Sequence, residues 1–316
     1  LMIRRPPRST QSRSSAASDV YKRQAGNPEQ AERLHQLRGR LRRSYNRHFW
    51  DEAAGRYIGC IDVRGTRHDF GFVNVNLTAI AVGLADADQV RRIYAWLENE
   101  PTATGQVDAY VFQVAPRTNT KAIQDWWYLG GNAEWPGDIP YGLAFQNGGA
   151  FMFLSADDLM GRSRYFGPDN AMARYRAILQ RYAMPDRLCG GNPLYLGEID
   201  GYQVATSVVF PEAGLVPNAF LYVFLGVDAG IDGLHIRPAL PSDLSYAGVR
   251  GLFFAGASLE IRVERSGPDA YVVTVACLSD PLKQTLIANG DPLRPGTRGH
   301  AVELQAGSEL VIAKAD

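Results

Sequence analysis

The chain has 316 residues, 46% of them hydrophobic and 21% charged, an ordinary soluble composition with length enough for one large domain and a small one. Its 33 basic and 33 acidic residues cancel, but the first 24 residues hold six of the basic and one of the acidic ones, leaving 27 basic against 32 acidic in the rest. A mildly acidic body argues against a nucleic-acid-binding surface, no apolar run approaches the roughly 20 residues of a membrane span, and three scattered cysteines without a CxxC pair indicate neither zinc nor a disulfide framework.

Residues 1–24, LMIRRPPRSTQSRSSAASDVYKRQ, are rich in Arg and Ser, lack apolar periodicity and cannot bury enough surface to fold. They resemble translated sequencing-adapter read-through, and an Arg- and Ser-rich, acid-poor leader also fits a transit peptide. Either way this segment is expected to lie outside the folded domain.

From Pro28 to His48 the apolar residues Ala31, Leu34, Leu37, Leu41 and Tyr45 recur every three to four positions, which predicts a helix with arginines on its other face. Phe49 to Tyr57 breaks that pattern with a turn at Gly55, and Tyr57 to Val63 suits a short extended piece. Phe72 to Leu84 and Ala87 to Glu98 predict a helical hairpin joined at Ala85-Asp86, the second helix burying Val90, Ile93, Tyr94 and Leu97. The form repeats after an aromatic loop from Asn99 to Tyr141, with a buried helix over Ala150 to Met160 and an amphipathic one over Pro168 to Tyr182. A loop from Ala183 to Pro211 leads to the apolar run Leu215 to Val227, whose helix ends near Gly226. From Gly233 the period becomes two, with strand candidates at His235-Ile236-Arg237, Ser258 to Val263, Tyr271 to Val275, Gln284 to Ile287 and Leu310 to Ile312. This predicts a helical region over 25–230 followed by a small antiparallel β domain over 231–316.

The stretch Tyr141 to Phe153, YGLAFQNGGAFMF, is the expected rim of the active site. Its glycines allow close backbone approach, and the amides of Gln146 and Asn147 each donate and accept, which suits a polyhydroxyl ligand. A plain turn and helix lead-in would use the same residues. Trp126, Trp127, Trp135 and Tyr141 cluster just upstream, where aromatic rings can stack on a pyranose or simply fill the core.

Four motifs carry a wider likeness: FWDEAAGRYIG (49–59), NLTAIAVGLAD (76–86), FQNGGAFMF (145–153) and FLYVFLGVDAGIDGLHIRPALPSDLSYAGVRGLFFAGASLEIRV (220–263). Over Gln30 to about Arg265 they resemble the C-terminal half of six-hairpin, (α/α)6-toroid glycosidases, among them α-L-rhamnosidases, processing α-glucosidases and disaccharide phosphorylases. The likeness implies a mainly α chain forming part of a helical toroid followed by the small β domain, with no cofactor and a glycoside as substrate.

It also implies cleavage by two carboxyl groups, one protonated to assist the leaving oxygen and one ionised to activate water or attack the sugar. Glu198, in the Gly- and Tyr-rich loop 190–202, falls near the base position. Glu212 competes for it, although its place before the last helix is equally explained by the positive helix N-terminus. The acid's motif is expected upstream of Pro28, so the chain as given is expected to be inactive alone, with Asp69, Glu134 and Asp138 the alternatives within it. Asp69 opens a buried helix, which suits a sugar hydroxyl or a capping role better than proton donation. His68 beside it reads as a surface or cap residue. A phosphorylase would need Arg or Lys with Ser or Thr and glycine N–H groups near the rim, and a non-catalytic carbohydrate-binding protein would lack a second carboxylate across the cleft. An epimerase would want paired catalytic histidines, and the five here are scattered.

Overall fold

The computed structural model describes residues 28–99, 120–121, 150–151, 154–182, 197–199, 202–205, 215–230, 233–281, 286–297 and 299–314. Helix α1, Pro28–Phe49, opens the described chain. Its last turns are anchored, with Tyr45 stacked on Phe49 at 4.6 Å and both packed against the core described below, while Leu37 and Leu41 stay exposed.

Two short hairpins follow. Strands β1 (Trp50–Asp51) and β2 (Arg56–Tyr57) pair antiparallel, and their turn is closed by Asp51, whose side chain accepts from the Ala54 N–H and whose carbonyl accepts from Gly55. Strands β3 (Cys60–Ile61) and β4 (Arg67–His68) form the second hairpin around Asp62, whose carboxylate accepts the N–H groups of Arg64 and Thr66. Side-chain oxygens that accept their own turn's N–H groups are the reason aspartate recurs in tight turns.

Helix α2, Val73–Ala81, is apolar nearly all round and is buried accordingly, whereas α3, Ala87–Asn99, buries Val90, Ile93, Tyr94, Trp96 and Leu97 along one face. These helices, Tyr57 of β2 and Leu154 form one core.

Strand β5, Ala150–Phe151, leads into α4, Leu154–Phe166, and α5, Pro168–Tyr182. Strands β6 (Gly197–Ile199) and β7 (Tyr202–Ala205) form a hairpin whose β7 edge pairs parallel with β5. Helix α6, Leu215–Ala219, widens into a π-turn over Phe220–Phe224. Gly226 ends it at φ +65°, where a Cβ would stand 1.8 Å from the Arg237 carbonyl oxygen, so only glycine fits.

Nine strands complete the described chain. Strands β10 (Tyr246–Phe254), β11 (Ala257–Gly267), β12 (Ala270–Ser279) and β15 (His300–Gln305) make a four-stranded sheet in the order β10-β11-β12-β15. Strands β8 (Val227–Ala229), β9 (Leu234–Ile236), β13 (Leu286–Ala288), β14 (Asp291–Leu293) and β16 (Leu310–Lys314) make a five-stranded sheet in the order β14-β13-β16-β9-β8. Alternation sets their inner faces: Leu259, Ile261 and Val263 of β11 and Tyr271, Val273 and Val275 of β12 point inward. Those faces share a second core with Leu159 of α4, Ile178 of α5 and Phe224. Among the described residues, no helix is long and apolar enough to cross a membrane.

The expectation of a mainly α chain forming part of a helical toroid is not met. Helices and strands take up comparable lengths, the strands lie in five sheets, and no ring of helices closes among the described residues. Two causes are visible. Strands of two residues, as in β1 to β4, are too short to show a period of two, and the C-terminal sheets begin at Val227 and are too extensive for a small appendage. The helix expected over Ala150 to Met160 is also displaced, with Ala150–Phe151 extended and the helix running from Leu154 to Phe166.

Candidate active site

The loop between β4 and α2 carries the candidate carboxylate, and the sequence explains its shape. Asn76, fully buried on the first turn of α2, accepts the Tyr57 N–H at 2.8 Å and donates to the carbonyls of Tyr57 at 3.0 Å and Phe72 at 2.9 Å. One side-chain amide thus ties strand β2 to the helix start, and this sets Arg56 against the loop. At the other end of the loop Asp69 accepts the Gly71 N–H at 3.0 Å. Gly71 sits at φ +62°, a conformation that glycine adopts without the Cβ penalty.

Arg56 and Asp69 meet as a fork. Arg56 Nε lies 3.2 and 3.1 Å from the two carboxylate oxygens, and an Nη of Arg56 lies 2.6 Å from Asp69 Oδ2. The guanidinium also lies over the Trp96 ring of α3, 4.6 Å from its centroid. Lys121 brings its ammonium to 3.5 Å from the same Oδ2, and Thr120 N donates to the Gly71 carbonyl at 3.0 Å. Exposure grades across the cluster: the side chain of Arg56 is 6% exposed, Asp69 22% and Lys121 43%. Burial opposes the charge on Asp69, but the Arg56 hydrogen bonds and charge, the Gly71 N–H and the Lys121 charge outweigh it and hold the carboxyl below its ordinary pKa. Such a group accepts hydrogen bonds at neutral pH and is a poor proton donor.

His68 is engaged within its hairpin, its Nε2 lying 3.1 Å from Asp62 Oδ2. Glu198 lies in β6 opposite Gln203 of β7. Because β7 also pairs with β5, the backbone of Glu198 lies two strands, about 10 Å, from that of Ala150 and Phe151. The last part of the predicted rim and the strand bearing Glu198 therefore share one small sheet. Glu212, Glu134, Asp138, Trp126, Trp127, Trp135, Tyr141, Gln146 and Asn147 lie outside the described residues.

Sequence inspection missed Arg56, Trp96 and Lys121. It also missed a second buried ionic cluster in which Arg162 of α4 contacts Asp158 at 3.0 Å, Glu98 of α3 at 3.1 Å and Asn170 of α5 at 3.0 Å. Arg174 stands 3.9 Å from Asp158, and burial pulls its pKa down to about 10 against the pull of Asp158. Asp158 is itself fully buried, and the cluster joins three helices. The spacing of Asp158 and Arg162, one helical turn apart, was the available signal.

No family model matches the chain, and no curated protein matches it in sequence. Its fold is similar to parts of larger solved structures. The crystal structure of a GH78 family rhamnosidase of Bacillus sp. GL1 matches with a TM-score of 0.51 at 18% identity, over 85% of this chain and 24% of that one. A sialidase matches with a TM-score of 0.57 at 12% identity, over 96% of this chain and 26% of that one. The chain spans about a quarter of the length of each. At these identities the likeness shows a fold in common with parts of these two structures.

Proposed function

We propose that this chain is part of a glycosidase that cleaves O-glycosidic bonds with carboxylate assistance, and that the chain alone is inactive on glycosides whose leaving group must be protonated. The observation that carries the proposal is the ionised, partly exposed Asp69 clamped between Arg56 and Lys121, in a fold shared with a rhamnosidase and a sialidase. Asp69 serves as a sugar contact, since a carboxylate held below its ordinary pKa accepts from a hydroxyl and does not release a proton. Glu198 is the base that activates water, and Glu212 is its competitor. The helical part carries the chemistry and the C-terminal sheets support it through the shared core. No cofactor enters the proposed reaction.

A phosphorylase of the same kind gains some support from Lys121, Thr120 and Gly71, the residue types that hold phosphate. The loop before the last helix carries no cluster of that kind in its sequence, and hydrolysis is preferred on that ground.

The test uses leaving groups. Glycosides of 2,4-dinitrophenol need little proton donation, whereas methyl glycosides need it fully. The full chain is expected to cleave dinitrophenyl glycosides selectively, because Asp69 is no donor, and Glu198→Gln should lower kcat/KM by roughly 100-fold or more. Cleavage of no member of a broad dinitrophenyl panel would reject the proposal.

A further inference from the structure

We propose that Asp69 and Lys121 form a subsite that grips two adjacent hydroxyls of one glycosyl unit, with Arg56 as the positioning residue that fixes the carboxylate. This rests on the glycosidase proposal for the nature of the ligand, and on geometry for its place.

Arg56 already meets both carboxylate oxygens of Asp69 from the buried side, so neutralising that charge does not require Lys121. The second cation sits at the water-facing end instead, 43% exposed and in contact with Asp69 through a single 3.5 Å approach. An ammonium has three donors, and a carboxylate has lone pairs beyond those that Arg56 and Gly71 engage. The exposed end of the cluster thus presents an acceptor and a donor side by side, at a spacing comparable with that of neighbouring sugar hydroxyls. One hydroxyl donates to Asp69 and its neighbour accepts from Lys121.

The local build serves this placement. Thr120 packs so closely on Gly71 that a Cβ at position 71 would stand 2.1 Å from Thr120 Oγ1, and the Thr120 N–H is bonded to the Gly71 carbonyl. The Thr120 hydroxyl is buried and has no hydrogen-bond partner among the described residues. The close packing, which the missing Cβ of Gly71 allows, and the backbone hydrogen bond together seat the residue before Lys121 against the Asp69 loop. The Trp96 ring lies beneath the Arg56 guanidinium and stabilises the buried half of the cluster.

The experiment is calorimetric titration of the full chain with methyl glycopyranosides and their monodeoxy analogues, repeated on Lys121→Met. This variant keeps most of the apolar stem at a half-exposed position, and an unchanged melting temperature verifies its fold. At least one glycoside should bind, and removing either of two adjacent hydroxyls should weaken binding roughly tenfold or more. Lys121→Met should cost a similar factor and abolish discrimination at one of those two hydroxyls. Equal binding of every monodeoxy analogue, unchanged affinity in Lys121→Met, or binding of no glycoside overturns the subsite. Cleavage of dinitrophenyl glycosides together with unchanged Lys121→Met affinity sinks the subsite alone, while diol-dependent binding without cleavage sinks hydrolysis alone.

Discussion

Replacing Asn76 by leucine removes the tie between strand β2 and helix α2 while keeping a side chain of similar size. Three hydrogen bonds of 2.8, 3.0 and 2.9 Å are lost, and the buried Tyr57 N–H and carbonyl and the partly buried Phe72 carbonyl lose their side-chain partner. Each buried group left unmet costs about 1–3 kcal/mol, and burying a leucine returns about 1.5–3 kcal/mol, for a net loss of about 3 kcal/mol. That corresponds to a fall in melting temperature of roughly 6–12 °C. Asn76→Asp should do no better, because it retains the acceptor for the Tyr57 N–H but turns a carboxylate oxygen toward two carbonyls. The assay is thermal unfolding followed by near-ultraviolet circular dichroism. A melting temperature for Asn76→Leu within about 2 °C of the parent would refute the role given to this amide.

Gly71→Ala places a Cβ into Thr120 Oγ1 in a left-handed backbone, so it should cost about 2 kcal/mol and also displace Lys121, which glycoside titration would detect as weaker binding. The folded-state pKa of Asp69 is lowered, so its stabilisation is complete above the ordinary carboxylate pKa of 3.8 and is lost as pH falls through the folded value. Melting curves from pH 7 down to about 2.5 should therefore show a shallower acid limb in Asp69→Asn than in the parent, with the remaining slope carried partly by Asp62 and Asp243, whose pKa values are also lowered. Arg162→Met leaves Asp158 buried without its main partner and should cost about 3–5 kcal/mol, whereas pairing it with Asp158→Asn should recover part of that loss in the same unfolding assay.

Periodicity located what is local. The amphipathic pattern over Pro168 to Tyr182 gives α5 with the same bounds, and the stripe Val90, Ile93, Tyr94 and Leu97 is the buried face of α3. It does not say what covers a stripe, and the Leu37 and Leu41 positions of α1 share a face yet remain exposed. Nor does it register two-residue strands, whose pairing is settled by the turn chemistry of Asp51 and Asp62. Asp69 was legible as a candidate because it opens a buried helix. Its partners were not, since Arg56 is 13 residues away and Lys121 is 52, and only the folded chain brings a hairpin arginine, a helix tryptophan and a distant lysine to one carboxylate.

The most direct test is a crystal structure of the full chain with a bound, uncleaved methyl glycoside selected by titration. Adjacent sugar hydroxyls are expected within hydrogen-bond distance of the Asp69 carboxylate and the Lys121 ammonium, with Arg56 still forked on Asp69. A glycoside bound elsewhere, with Asp69 and Lys121 touching no part of it, would contradict the subsite.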